Sequence, residues 1–274
     1  MEKALSTYRP IAIAKFYLQY GTDRKGQALR GGSLAHWCLG DTRRGIELDC
    51  EQRELAFSRE NSYEIAYSLG ISCILYSLHR DTRSVIGFAE RAIRLARQEG
   101  FTFRAIRAEI FLQLARTSEQ PTCMGLQQCT KLIETYIAAG NQMGLSAWLA
   151  QLGELWMQIG KLECARDCIE RGVSYVRRSG ERFAEAELHR VRGNLLLAEG
   201  NVALAEKSID RAIAVALKQR AKSWELRAKL SLAKMLARTD RHARAREILH
   251  PILAAFSQQP TSPDLLEART ELDA

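Results

Sequence analysis

The stretch AEAELHRVRGNLLLAEGNVALAEKSIDRAIAVA, from Ala184 to Ala216, decides the fold. Leu188, Val191, Leu195 and Leu196 recur at helical spacing, Gly200 interrupts, and Ile209, Ala212, Ile213 and Ala216 resume the same spacing. Gly193 sits inside the first apolar stripe, where glycine costs about 1 kcal/mol against alanine unless packing needs it. Two amphipathic helices that cross closely at Gly193 and Ala205 account for all of these features.

Working outward, the same pattern returns with a period of 40 residues. Gly45, Val85, Gly125, Ala165, Ala205 and Ala245 form one column of small residues. Twelve positions earlier stand Ser33, Cys73, Gln113, Gly153, Gly193 and Ala233, of which Gln113 alone is large. Gly40, Gly160, Gly200 and Asp240 punctuate the middle of the units, and Gly100, Gly140 and Gly180 punctuate their ends. Second-helix stripes recur at Ala89, Ala92, Ile93 and Ala96, at Cys129, Leu132, Ile133 and Tyr136, at Ile169, Gly172, Val173 and Val176, and at Leu249, Ile252, Leu253 and Phe256. No sustained period-two alternation and no Asn-Gly turn marks a strand pair. The sequence predicts an all-α fold, a right-handed α-solenoid of about six helix-turn-helix units. These lie at about 27–60, 61–100, 101–140, 141–180, 181–220 and 221–259, after an N-terminal helical segment over 1–26, with a helix from Arg9 to Tyr20 and a polar turn from Gly21 to Gly26, and before a C-terminal capping helix over 260–274 that is expected to bury Leu265, Leu266 and Leu272.

Composition narrows the classes of function. The chain has 274 residues, 46% hydrophobic and 26% charged, which excludes disorder and a membrane bundle. Its apolar run from Ile11 to Tyr20 is too short to span a bilayer and contains Lys15. Seven cysteines scattered through helical sequence fit reduced thiols and a cytoplasmic chain. Cys164 and Cys168 share a helix face, but buried apolar packing accounts for them better than a metal does, and no pair of histidines converges on them. No phosphate loop occurs, and no nucleophile, base and oxyanion set can be assembled. The expectation is therefore a non-enzymatic chain with no catalytic residues, no cofactor and no metal.

The small, Gly, Ala, Ala pattern at Gly193, Gly200, Ala205 and Ala212, repeated at Gly153, Gly160, Ala165 and Gly172, resembles the tetratricopeptide repeat. The segments Ala184–Ala198, Ser223–Ala233 and Ser262–Arg269 sharpen that likeness. Together they resemble the C-terminal repeat region of large bacterial regulators, in which a nucleotidyl cyclase or LuxR-like DNA-binding domain and a STAND-type ATPase domain precede the repeats. The likeness is specific from about Glu181 onward and loose before about Tyr63, where Arg30 to Gly32 and Asp49 sit poorly in the pattern. It implies a regulatory or sensor region that binds a protein, a peptide or a small effector, with a free-standing cytoplasmic adaptor as the alternative. Cyclase and ATPase activities are not carried over, because their motifs do not occur in this chain.

The same resemblance carries groove-facing positions onto Tyr67, Arg107, Glu154, Arg190, Asn194, Arg227 and Lys234. Arg190 and Asn194 then present a cation and an amide on one helical turn, with Ser231 where a further amide is expected. On that reading Arg190 and Arg227 serve binding and contribute little to stability. Trp148, Trp156 and Trp224 are expected to fill the core, and His189 to pack or to hold a hydrogen bond. The net charge of +8 raises nucleic acid as a weaker expectation, since 32 acidic residues are interspersed among 40 basic ones. The densest basic runs, Arg177 with Arg178 and Arg238 to Arg246, read as solvated faces.

Overall fold

A computed structural model describes residues 23–256, 259 and 262–273. Thirteen α-helices and no strand occur among the described residues. Six pairs come first: α1 Arg24–Cys38 with α2 Thr42–Ser58, α3 Ser62–Leu78 with α4 Thr82–Gln98, and α5 Thr102–Glu119 with α6 Cys123–Ala138. They continue as α7 Leu145–Gln158 with α8 Leu162–Ser179, α9 Glu185–Ala198 with α10 Val202–Gln219, and α11 Lys222–Ala237 with α12 His242–Ala254. A last helix, α13, spans Pro263–Asp273. The all-α repeat of consecutive helix-turn-helix pairs is what the period predicts.

Backbone conformation keeps the beat of the sequence with more regularity than the glycines do. Positive φ angles fall at Gly40, Glu60, Arg80, Gly100, Gly140, Gly160, Gly180, Gly200, Arg220 and Asp240, so that nearly every twentieth residue ends a helix in the left-handed region. That conformation turns the chain and closes the last carbonyls of the helix, as at Arg220, whose N–H donates to Ala216 O and Leu217 O. Glu60, Arg80 and Arg220 occupy it without being glycine, and for that reason they carry no turn signal in the sequence.

The columns of small residues face each other. A Cβ added at Gly193 would lie 2.4 Å from Ile209 Cγ1 and 3.1 Å from Ala205 O. At Gly153 it would meet Ile169 Cγ1 at 3.0 Å and Ala165 O at 3.4 Å, and at Gly45 it would meet Ser33 O at 2.9 Å. The exception at Gln113 has a simple cause: Gly125 lies against Thr117, one helical turn further along α5, and a Cβ there would be 3.0 Å from the Thr117 hydroxyl.

The described residues cluster into two compact units, those within Met1–Trp37 with Asp41–Arg116, and those within Cys38–Gly40 with Thr117–Ala274. In the first, Leu69, Ala92, Ile93 and Ala108 form a buried cluster with Ile65, Phe88 and Leu112 packed on it. Asp23 caps α1 by accepting from the N–H groups of Lys25 and Gly26, so the polar turn expected over Gly21 to Gly26 is already helix from Arg24. The expected helix from Arg9 to Tyr20 lies outside the described residues. Asp49, which fits the repeat poorly, is fully buried and held by Ser72 Oγ at 2.9 Å, Gln52 Nε2 at 3.0 Å and Arg53 at 2.8 Å. Burial raises its pKa more than Arg53, Ser72 and Gln52 lower it.

In the second unit a core runs through Ile209, Leu226, Leu230, Leu236, Leu249, Ile252, Phe256 and Leu265. Trp148, Trp156 and Trp224 are buried, as core-filling side chains should be. At the C-terminus Ser262 Oγ accepts from Leu265 N–H, and Pro263 opens α13. Leu265 and Ala268 are buried and Leu272 packs on the core, but Leu266, expected to be buried with them, is 55% exposed. Its place on the helix faces away from α11 and α12, and Ala268 takes up the apolar face instead.

Candidate functional site

In the second unit the first helices pack side by side, α7 on α9, α9 on α11, and α11 on α13. The shared face carries charge. Arg190 on α9 is 6% exposed and donates from Nη2 to Glu154 Oε1 on α7 at 2.8 Å, and from Nε and Nη2 to both Glu187 carboxylate oxygens at 2.8 Å. Its Nη1 lies 3.3 Å from Ser231 Oγ on α11. Arg227 on α11 donates to Asp264 on α13 at 2.7 Å and pairs with Glu187 at 3.6 Å. Carboxylate and guanidinium alternate from α7 to α13, as Glu154, Arg190, Glu187, Arg227 and Asp264. Burial alone would lower the pKa of Arg190, but Glu154 and Glu187 outweigh it and raise the value well above the ordinary one.

Arg190 and Arg227, expected to face a partner, are engaged by side chains of the chain itself. The carboxylates that Arg190 meets are the chain's own, and Ser231 supplies the third contact in place of an amide. Both arginines therefore hold successive helices together. Lys234 is the more exposed member of the row and pairs with Glu267 on α13. Asn194 is half-buried on α9, one turn beyond Arg190. Glu154, Arg190 and Arg227 are thus joined in one network, with Asn194 and Lys234 further along the same helices.

Tyr67 and Arg107 belong to the first unit and form a separate set. The Tyr67 ring on α3 lies between two guanidinium groups, Arg30 at 4.4 Å and Arg104 at 4.0 Å from its centroid. Arg30 also donates to Glu64 at 2.8 Å in a pair that is almost fully buried, and Arg104 donates to Tyr63 Oη at 2.9 Å. Arg107 is buried on α5. Arg30, Glu64 and Arg104 carry no repeat signature, yet they surround Tyr67.

Glu187, Asp264 and Glu267 also escape a motif-based reading. A signal for them exists: Glu154 with Arg190, Arg227 with Asp264 and Lys234 with Glu267 lie 33 to 37 residues apart, one turn or so short of the repeat, and Glu187 with Arg227 lies a full period apart. Opposite charges at these offsets mark the ladder.

All seven cysteines are free thiols. Cys164 is exposed and Cys168 buried, so the two do not share an environment. Among the described residues no group of three or more His, Cys, Asp or Glu side chains is placed to hold a metal ion, and no helix is long and apolar enough to cross a membrane. The sequence matches no protein-family model and no curated protein.

Proposed function

We propose that this chain is a non-enzymatic helical-repeat interaction module that binds a protein, a peptide or a small effector on the faces of its first helices. Its role is that of the sensor or regulatory region of a bacterial signalling or transcription regulator. The observation that carries this reading is the ladder from Glu154 to Asp264. It fixes four adjacent helices while leaving Asn194, Lys234 and Glu267 partly exposed beside it. A surface held in place before binding loses little conformational freedom on binding. The resemblance of Ala184–Ala198 and Ser223–Ala233 to regulator repeats supports the regulatory role.

The test compares capture of partners from native extract by the wild-type chain and by an Asn194→Arg, Lys234→Glu variant, with Lys207→Glu on α10 as a control. Loss of a partner in the first variant alone, at unchanged circular dichroism, supports the assignment. Equal retention by all three overturns it.

A further inference from the structure

In the first unit the amino-terminal ends of α3 and α5 bring aromatic rings and one guanidinium together. The rings of Tyr63 and Phe101 meet edge to face with centroids 5.4 Å apart. The Arg104 guanidinium lies 4.0 Å from the centroid of Tyr67, 4.8 Å from that of Tyr63 and 5.5 Å from that of Phe103. Tyr63 is 40% exposed, and Tyr67, Phe101, Phe103 and Arg104 are half-buried, so the cluster lies at the surface.

Arg104 is held in place without being neutralised. Elsewhere in the unit arginines that reach between helices meet carboxylates, as in Arg30 with Glu64 at 2.8 Å, Arg97 with Glu109 at 2.7 Å and Arg116 with Glu90 at 2.8 Å. Arg104 forms no ion pair among the described residues; its Nη2 donates to Tyr63 Oη at 2.9 Å, its Nε is buried with no acceptor, and its Nη1 has none among the described residues. Glu64, on the same helix as Tyr63 and Tyr67, is buried and engaged by Arg30. A guanidinium fixed by rings loses little side-chain freedom on binding, and it offers a carboxylate two parallel charge-assisted hydrogen bonds. Tyrosine and arginine are also the side chains that carry much of the energy of protein interfaces. Nucleic acid fits less well, because Tyr67 lies between Arg30 and Arg104 and offers a base little open face, and one cation does not follow a phosphate backbone.

We propose that the amino-terminal ends of α3 and α5 form a docking surface for an acidic segment of a protein partner. A carboxylate side chain of that segment meets Arg104, and an apolar side chain beside it packs on Tyr63, Phe101 and Phe103. The inference rests on the interaction-module reading for the class of partner, but its residues lie in the other unit from Asn194 and Lys234.

The experiment titrates the full chain with a capped synthetic peptide that carries glutamate beside phenylalanine in a glycine and serine frame. Calorimetry gives the affinity, and NMR follows the buried Arg104 Nε–H. Saturable binding with a shift of that signal is expected. Glutamine in place of the peptide's glutamate should weaken affinity by about tenfold or more, as should Arg104→Gln in the chain, because each removes a charge-assisted contact. Arg104→Glu should instead prefer the peptide with lysine in place of glutamate, an inversion that a folding defect cannot produce. Arg83→Gln on α4 removes an exposed cation and should leave the affinity unchanged. An unmoved Arg104 signal, equal affinity for the glutamate and glutamine peptides, or wild-type affinity in Arg104→Gln overturns the proposal. A single-stranded oligonucleotide that shifts the signal where the peptide does not would also overturn it, in favour of nucleic acid. The Asn194→Arg, Lys234→Glu variant should bind the peptide as the wild type does. Loss of the peptide there would move its binding to the second unit and overturn the proposal, whereas failure of the capture test alone leaves the peptide result standing.

Discussion

Arg190 and Glu154 stand 36 positions apart in the chain and 2.8 Å apart in space. One guanidinium thus joins α7 to α9, and through Glu187 and Arg227 the same chain of charges continues to α13. Arg190→Met leaves Glu187, 9% exposed, facing Glu154 without the cation between them. Breaking a buried pair in this way costs about 3–5 kcal/mol. Urea unfolding of Arg190→Met should show a clearly lower midpoint, and an unchanged one would make the ladder a passive feature of the surface.

The crossing at Gly193 gives a paired test. Alanine is the better helix former by about 1 kcal/mol, yet a Cβ at Gly193 falls 2.4 Å from Ile209 Cγ1 and 3.1 Å from the Ala205 carbonyl. Overpacking of this kind costs about 1–3 kcal/mol, so Gly193→Ala should be destabilising on balance. Gly87 on α4 is also mid-helix, but nothing lies within 4 Å of its Cβ position. Gly87→Ala should raise the melting temperature, by the propensity gain of about 0.5–1 kcal/mol. Equal effects from the two substitutions would remove the close crossing as the reason for Gly193.

Gly193 also shows why the fold was legible and much of the site was not. Small residues and turn glycines are forced by backbone geometry, so they leave a mark at every period. The partners of Arg190, Arg227 and Lys234 need only an opposite charge at a period or about one turn short of it, and many surface carboxylates satisfy that by chance. Asp49 was illegible for a different reason. A carboxylate in a core stripe is tolerated when Ser72, Gln52 and Arg53 converge on it, and that convergence comes from two helices at once.

Arg220 ends α10 with φ of 55°, where a side chain is strained by about 1–2 kcal/mol relative to glycine. It is exposed, and no bond of its side chain occurs among the described residues. Arg220→Gly should therefore stabilise the chain by about 1 kcal/mol even though glycine loosens the unfolded state. Gly200→Ala, with φ of 82° at the wild-type residue, should destabilise by a similar amount. Thermal melts of the two variants should move in opposite directions, and a fall for Arg220→Gly would show that the freedom glycine gives the unfolded chain outweighs the left-handed strain at that position.

Thiol chemistry follows burial. Cys38, Cys73 and Cys168 are pushed up to about 12, and Cys129 to about 11, chiefly because their thiolates would be desolvated. Cys123 and Cys164 are exposed. A brief pulse of iodoacetamide at about pH 8, near the ordinary thiol pKa, should label Cys123 and Cys164 and spare those four until the chain is unfolded. Early labelling of Cys73 or Cys168 in mass spectra would mean that the helix pairs open on the time scale of the pulse.

His189 should make folding sensitive to acid. Its native pKa lies below the ordinary value of 6.5, first through burial and then through Arg211, Arg192 and Arg177, against Glu185. Below 6.5 the unfolded chain takes up a proton that the native state refuses, so the unfolded state binds more protons and stability falls with falling pH. The contribution is complete above 6.5 and is lost as pH drops through the native pKa. His189→Gln removes this dependence and keeps a polar group at this position of α9. Urea midpoints in chloride buffers at about pH 5.5 and about pH 7.5, either side of the ordinary imidazole pKa, should show the variant gaining on the wild type at the lower pH. Any constant packing cost of glutamine cancels when the two pH values are compared. A gap that stays the same at both would show that the native ring takes up its proton as readily as a free imidazole, against the effect of its burial.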